Sequence, residues 1–218
     1  MQQHVKSKSR VVNHGEVFTP RWVVNAMLDL VKQETERIDS RFLEPACGTG
    51  NFLEEILERK IRIVQKRYGK LQTDYERYAI LAVSSIYGID ILEDNVHECR
   101  QRLFEIVNRR YTATFKKTAK EQFRKTTRFI LKRNIVWGDA LTMMHVGETP
   151  KHIVFSEWSL VNGGLIKRRD FTFHQLVQRG SNKEQALVSD LGTGVFIPTP
   201  IKEYPPVHFL EIADVQAE

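Results

Sequence analysis

The sequence predicts an α/β fold built on a parallel sheet, and three features indicate it. Strand-like segments at 41–45, 85–90, 134–137 and 152–155 alternate with segments of helical periodicity. A turn containing glycine lies between the first strand and its helix, and the second strand ends in Asp90. Strands that alternate with helices along a chain form parallel sheets with right-handed crossovers.

The composition is that of an ordinary globular protein. The 218 residues are 41% hydrophobic and 28% charged, which is enough apolar material for a core. No run approaches the roughly 20 apolar residues of a membrane span, and the N-terminus has no apolar signal-peptide core. We therefore expect a cytoplasmic protein. Its two cysteines, Cys47 and Cys99, imply no disulfide framework.

Positive charge is concentrated in one part of the chain. The net charge is +6 and the pI is about 9.3. Residues 100–133 carry twelve Lys or Arg and two Glu, a net charge of +10, which leaves −4 for the rest. Such a field attracts a polyanion, so DNA contact is one interpretation. A solvated helix face in a basic protein is the other.

The N-terminal part predicts a helix that begins at Pro20. Thr19 is a favourable N-cap, and proline suits the first helical position because its missing N–H is not needed there. Phe18 and Val23 have the spacing of a hydrophobic staple. The apolar periodicity continues to Val31 and predicts about four turns. Residues 1–15 are polar, and we expect them to be flexible.

Further helices are expected after the glycine turn, at 73–84, around Val96–Ile106 and through the basic segment 112–132. After Phe155 the pattern weakens to a turn at Gly163-Gly164 and short strand-like pieces. The cluster Lys167-Arg168-Arg169 lies between two of these pieces. It can be interpreted as a phosphate contact or as a solvated turn. Four prolines between Ile197 and Pro206 predict an extended tail.

The turn Glu44-Pro45-Ala46-Cys47-Gly48-Thr49-Gly50 is the strongest indication of a ligand site. Glycines allow a sharp turn and a close approach of a ligand to the backbone. The helix that follows presents free N–H groups, and ligands of open α/β sheets bind at the carboxyl ends of the strands. The spacing matches neither the dinucleotide fingerprint nor a phosphate-binding P-loop. The alternative is that Gly48 and Gly50 merely make a tight turn.

Two acids extend this site. Asp90 closes Tyr87-Gly88-Ile89-Asp90, and a carboxylate at that position can accept hydrogen bonds from both hydroxyls of a ribose. Asp139 follows the third strand and is placed to accept from an adenine amino group. For each acid the alternative is a helix-capping aspartate.

These residues resemble the adenine-specific DNA methyltransferases of restriction–modification systems, over roughly residues 14–141. The segment Gly15–Pro20 is similar to the family's N-terminal segment with its Thr-Pro, and Glu44–Leu53 closely resembles its cofactor loop. Gly88–Ile91 resembles the ribose-binding segment, and Gly138–Leu141 is a weaker match to the adenine-binding segment. The order of these pieces is that of the family's gamma arrangement.

The resemblance implies a Rossmann-like, S-adenosylmethionine-dependent methyltransferase sheet with helices on both faces. It implies S-adenosylmethionine as cofactor, no metal, and DNA as partner, together with a second methyltransferase, specificity or nuclease subunit. The target adenine of such enzymes is flipped out of the duplex. The residues expected to bind the cofactor are Thr19, Glu44, Pro45, Ala46, Cys47, Gly48, Gly50, Asp90, Ile91, Asp139 and Ala140.

The catalytic tetrapeptide of the family, Asn/Asp-Pro-Pro-Tyr/Phe, does not occur in this sequence. The fourth strand instead continues as Ser156-Glu157-Trp158, which makes these three residues the candidate catalytic group. Ser156 or Glu157 would accept from the target amine and Trp158 would stack on the base. The alternative for Trp158 is a core aromatic. The short segment that follows the fourth strand favours a sheet truncated after that strand. We expect a cofactor-binding domain at 16–160 and a C-terminal extension at 161–218.

Three hypotheses follow. The first is an adenine-specific DNA methyltransferase, or the methylation subunit of a restriction–modification system. The second is a pseudo-methyltransferase that binds the cofactor and engages DNA or a partner without methyl transfer, as the missing tetrapeptide suggests. The third, a methyltransferase acting on RNA or protein, is disfavoured by the Thr-Pro segment and the Pro-Ala-Cys-Gly match.

Overall fold

A computed structural model describes residues 10, 19–177, 187–188, 194–195 and 198–215 of the chain. The helices are α1 Arg21–Asp29, α2 Lys32–Thr35, α3 Asn51–Tyr68, α4 Gln72–Ser84, α5 Glu93–Phe115, α6 Glu121–Asn134, α7 Phe173–Val177 and α8 Ile212–Val215. The strands are β1 Phe42–Glu44, β2 Ile86–Asp90, β3 Ile135–Asp139, β4 Met144–His145, β5 Val154–Val161, β6 Leu165–Thr172, β7 Leu187–Val188, β8 Gly194–Val195, β9 Lys202–Glu203 and β10 Val207–His208.

The first sheet has the strand order β1-β2-β3-β4. β1 pairs with β2 and β2 with β3 in parallel, as the alternation of strands and helices predicts. The short strand β4 adds an antiparallel pair at the end of β3. Because the three parallel strands run in one direction, their carboxyl ends meet at the same edge of the sheet.

The helices α3, α4, α5 and α6 bury one face of this sheet in the main core. They are amphipathic, and their apolar stripes converge with the strand residues that point to the same side. The central members of this core are Leu53, Leu57, Ile61, Ile80, Val83, Ile86, Val96, Leu103, Phe123, Ile130 and Ile135. The basic segment predicted as one helix is divided: α5 ends at Phe115, a 3₁₀ turn spans Lys116–Thr118, and α6 begins at Glu121.

The opposite face of the sheet is covered differently. Tyr87, Ile89 and Val136 point there and form a second core cluster with Ile153, Phe155 and Phe173. These partners come from the chain leading into β5, from β5 itself and from the short helix α7. The second face is therefore packed mainly against strand and loop residues, with α7 as the helix that contributes.

The prediction of a fourth parallel strand is wrong. β5 starts near the expected position, but it pairs antiparallel with β6 along its whole length, from Val154↔Thr172 to Val161↔Leu165. β6 is one continuous strand, so the solvated turn, one of the two interpretations of residues 167–169, is also wrong. The alternation of a strand buries Arg168, while Lys167 and Arg169 point to the other side and pair with Glu203 and Glu157.

The tail after residue 198 packs against the second sheet. It is extended as predicted, yet it contributes the short strands β9 and β10, both of which pair with β6. Its last described element is α8, which packs on α6. β7 and β8 form a separate two-stranded ladder. Among the described helices, none combines the length and the apolar composition needed to cross a bilayer.

The N-terminal helix differs from the prediction in both length and capping. α1 has nine residues, its N-cap is Pro20, and no side chain makes a capping hydrogen bond. The predicted N-cap at Thr19 is therefore wrong: the Pro20 carbonyl accepts from the N–H groups of Val23 and Val24 at 3.0 and 3.1 Å. The helix breaks after Asp29 and resumes in α2. Phe18 of the predicted staple and all of the segment 1–15 except Arg10 lie outside the described residues.

Candidate functional site at the carboxyl edge of the parallel sheet

Three carboxylates end the three parallel strands. Glu44, Asp90 and Asp139 are the last residues of β1, β2 and β3. The register pairs Glu44 with Gly88 and Asp90 with Trp137, which aligns the strand ends along one edge. Neighbouring strands lie about 4.8 Å apart, so this edge brings together residues that are far apart in the sequence.

The loop from Pro45 to Gly50 is held against β2 by its backbone. The Cys47 N–H donates to the Ile89 carbonyl at 2.9 Å, and the Gly50 N–H closes a turn on the Cys47 carbonyl at 2.8 Å. Gly48 and Gly50 have φ of +53° and +91°, a region that favours glycine. A Cβ on Gly50 would lie 2.6 Å from Cys99 Sγ, because the loop packs directly on α5. The glycines are thus required by the turn and by its contact with the helix.

Asp90 links the loop to α5. Its Oδ2 accepts from the Gly48 N–H at 2.8 Å, and its Oδ1 accepts from the Leu92 N–H at 2.9 Å and from Asn95 Nδ2 at 3.2 Å. The residue is 8% exposed. Asp90 therefore bonds to the glycine loop and stabilises the start of α5, as the capping alternative expects, while its role in ribose binding stays a prediction. A carboxylate has about four acceptor positions, of which one remains.

The Thr-Pro segment is tied to the same loop. Asn51, the first residue of α3, donates from Nδ2 to the Thr19 carbonyl at 3.2 Å and accepts on Oδ1 from Arg102 Nη1 at 3.0 Å. The same Arg102 nitrogen donates to the Thr49 carbonyl at 2.8 Å, and Arg102 forms an ion pair with Glu54. A cavity of about 100 Å³ lies beside this network. It is smaller than the roughly 300–1,000 Å³ typical of small-molecule sites.

Asp139 lies in a turn between β3 and β4. Its Oδ1 accepts from the Leu141 N–H at 2.9 Å, which makes it a turn-stabilising acid. Ile91 is 46% exposed, and its carbonyl accepts from Trp137 Nε1 at 3.0 Å. Ala140 is half-buried beside the second core cluster. An apolar surface and an acid are thus adjacent at the ends of β2 and β3.

The residues of the loop differ in burial and in the pKa of their side chains. Burial raises the pKa of Glu44 above its ordinary value, and the Ala46 N–H hydrogen bond partly opposes that rise. The hydrogen bond to Cys99 and burial together raise the pKa of Cys47, so this thiol stays protonated and is no nucleophile. Pro45 and Ala46 are exposed.

The suggested catalytic group is not brought to this edge. Trp158 is 4% exposed, and its Nε1 donates to Asn134 Oδ1 at 2.9 Å in the main core, so its ring cannot stack on a base. The buried Ser156 hydroxyl donates to Asp170 at 2.7 Å. Glu157 pairs with Arg41 at the amino end of β1. The proposed roles of Ser156, Glu157 and Trp158 are therefore corrected: their strand belongs to the second sheet.

Sequence reasoning missed several residues that build the site. Asn95 and Arg102 are presented by α5, and neither belongs to a recognisable local pattern. Arg102 was visible only as one cation of the basic segment. Arg10 donates to Asp94 at 2.6 Å, which brings the N-terminal part of the chain to the start of α5. Within the described part of the chain, no group of three metal-binding side chains comes together.

Comparison with known proteins gives one match. A sequence model of the family described as N-6 DNA Methylase matches residues 4–125, more than half of the chain. No curated protein and no solved structure matches. The α/β architecture with mixed sheets is that expected of a Rossmann-like methyltransferase, which confirms the predicted fold class and family. The chain therefore belongs to the N-6 DNA methylase family, whose type of function is the N6-methylation of adenine in DNA.

Proposed function

We propose that this chain binds S-adenosylmethionine at the carboxyl edge of β1, β2 and β3 and serves adenine methylation of DNA in the cytoplasm. Its role is that of the methyltransferase or the methylation subunit of a restriction–modification system. The observation that carries the proposal is the hydrogen bond from the Gly48 N–H to Asp90, which joins the glycine loop to the end of the second strand. Family membership supports the reaction type.

The hydrogen-bond acceptors at this edge support the proposal. The remaining acceptor position of Asp90 would bind the ribose, and the exposed Ile91 would pack on the adenine beside Ala140. Asp139 would accept from the adenine amino group. Glu44 and Thr19 would lie at the methionine end, where a partly buried carboxylate suits a positively charged ligand. The bound cofactor supplies a methyl group already activated by a sulfonium, so the protein has mainly to position the reactants.

A second candidate function is cofactor binding without methyl transfer. It is favoured by the absence of Asn-Pro-Pro from the sequence and by the burial of Trp158. In this case the chain would act as a DNA- or partner-binding module. An additional subunit that supplies the catalytic residues would return the chain to the first function, so the two candidates are separated only by measuring transfer.

Calorimetric titration of S-adenosylmethionine into the full chain tests the shared claim. We expect Asp90→Asn to weaken binding by roughly tenfold or more, because a charge-assisted hydrogen bond is lost. Asp39→Asn is the matched control, since Asp39 is an exposed acid that precedes β1 at the opposite edge of the sheet. Asp139→Asn provides a second test if Asp90→Asn does not fold. No binding by the wild type, or equal binding by all variants, would refute the site.

Tritiated methyl transfer to unmethylated DNA then separates the two functions. Incorporation into adenine, by the chain alone or with a partner subunit encoded beside it, supports the enzyme or methylation subunit. Cofactor binding that is lost in Asp90→Asn, without incorporation under either condition, supports the binding module.

A further inference from the structure

A large cavity lies away from the proposed cofactor edge. It has a volume of about 660 Å³ and opens along the outer edge of β3, between α5, α6 and the β5–β6 hairpin. Arg100, Lys132, Arg133 and Arg168 line it, with Phe129 and Trp137 as aromatic walls. None of the residues expected to bind the cofactor lines it.

Arg168 is the unusual member of this lining. It is 1% exposed, and it is held by Asp170 at 2.6 Å through Nη2 and by Ser156 at 3.0 Å through Nε. Its guanidinium lies over the ring of Tyr204, 4.2 Å from the centroid. Its Nη1 is buried without a hydrogen-bond partner among the described residues. A buried donor that lacks an acceptor is costly, so the arrangement favours a ligand that supplies one.

The distribution of charge around the basic segment points to the same cavity. Within the described part of the chain, seven of the twelve cations at 100–133 lie in ion pairs with five carboxylates on α3, α4, α6 or α8, which neutralise part of the field expected from the sequence. Three cations of the same segment, Arg100, Lys132 and Arg133, line the cavity. The acids on its wall are Glu93 and Asp170, and Asp170 is already bonded to Arg168.

The cations are also partly desolvated. Burial lowers the pKa of Arg100 and of Arg133, and the charge of Arg168 lowers that of Arg133 further. An anion in the cavity would relieve this repulsion between neighbouring guanidinium groups.

We propose that this cavity is a second ligand site, which binds a phosphate group through Arg133, Arg168 and Lys132. Guanidinium groups match the geometry of phosphate oxygens, and a cavity of this size has room for an attached nucleoside between its aromatic walls. The phosphate can come from the DNA backbone or from a free nucleotide. The site is separate from the proposed cofactor site, because none of the residues expected to bind the cofactor lines it.

Calorimetry with the full chain tests the proposal, with inorganic phosphate, deoxyadenosine monophosphate and a short DNA duplex as probes. Lys132→Gln and Arg133→Gln each remove one cation and leave the buried bonds of Arg168 in place. The matched control is Lys117→Gln, which removes one exposed cation from the same basic segment outside the cavity. We expect the affinity for phosphate and for the monophosphate to fall by roughly tenfold in the cavity variants and to be unchanged in the control.

The DNA probe identifies the source of the phosphate. A parallel loss of DNA affinity in the cavity variants, beyond any loss in Lys117→Gln, supports the DNA backbone; unchanged DNA affinity supports a free nucleotide. The proposal is overturned if no probe binds, or if the control loses as much affinity as the cavity variants, which would indicate a general charge effect. Displacement of the monophosphate by S-adenosylmethionine would also overturn it. Failure of the cofactor to bind, with phosphate binding intact, would contradict only the proposed function.

Discussion

Replacement of Gly50 by alanine tests the geometry of the glycine loop most directly. Gly50 has φ of +91°, where alanine is unfavourable by roughly 1–2 kcal/mol. The new Cβ would lie 2.6 Å from Cys99 Sγ, and overpacking of a buried site destabilises by about 1–3 kcal/mol. Together these terms predict a loss of about 2–5 kcal/mol in the free energy of unfolding. We expect S-adenosylmethionine affinity to fall as well, since the loop must shift away from α5.

A double-mutant cycle separates the two contributions. Cys99→Ala removes the sulfur, after which the nearest Cys99 atom to the new methyl group is its Cβ at 3.4 Å. This single variant is expected to lose about 1 kcal/mol for the small cavity. Gly50→Ala/Cys99→Ala should then be more stable than the sum of the single variants by about 1–3 kcal/mol, while the backbone contribution remains.

Urea-induced unfolding of the four proteins, followed by circular dichroism, measures the cycle. Additivity within roughly 0.5 kcal/mol would show that the methyl group does not meet Cys99, and it would refute the packing of the loop on α5. A Gly50→Ala variant as stable as the wild type would refute the left-handed turn as well.

Three further predictions concern buried or partly buried groups. Burial lowers the pKa of Lys60 to about 7, so the unfolded chain binds more protons than the folded chain between pH of about 7 and 10.5. The free energy of unfolding, measured with urea, should therefore rise with pH across that window. Lys60→Met should flatten this rise. Trp158→Phe should destabilise the fold by about 1–3 kcal/mol, because the hydrogen bond to Asn134 is lost. The affinity for the cofactor, measured by calorimetry, should be unchanged. Weaker cofactor binding at equal stability would contradict this prediction. Because the pKa of Glu44 is raised, affinity for the positively charged cofactor should fall as acidification protonates it, and Glu44→Gln should lose that pH dependence in the same titration.

Local patterns predicted the first half of the molecule well. Strands at 41–45, 85–90 and 134–137 and the helices that follow the first two were expected, although β3 extends to Asp139, which was placed after the strand. Each rests on short-range signals: apolar periodicity, glycines at a tight turn, and an acid after a buried strand. These signals are strong when a strand and its helix pack directly on each other.

The β5–β6 hairpin could not be predicted in the same way. The segment Lys167–Asp170 is polar enough to suggest a turn, and only pairing with β5 shows that Arg168 points inward. Its burial is tolerated because Asp170 and Ser156 satisfy most of its donors. Such compensation depends on side chains brought together by the hairpin and leaves no signature in the local sequence.

The acids that pair with the basic segment could not be predicted from the local sequence either. The sequence shows +10 over residues 100–133 but not where the partner acids are. In the fold, Glu54 and Glu58 of α3 and Glu76 of α4 meet those cations. These ion pairs neutralise part of the field expected for DNA, and further cations of the segment line the cavity beside β3.

The sequence by itself determined the family, the glycine turn and the acids at the strand ends, because each of these depends on residues that are neighbours in the chain. The tertiary structure alone decided that Asp90 bonds to Gly48, that Trp158 belongs to the core, and that Arg168 is buried beside the cavity at β3. Those outcomes depend on strand register and helix packing, which join residues from distant parts of the sequence and are settled only when the whole core assembles.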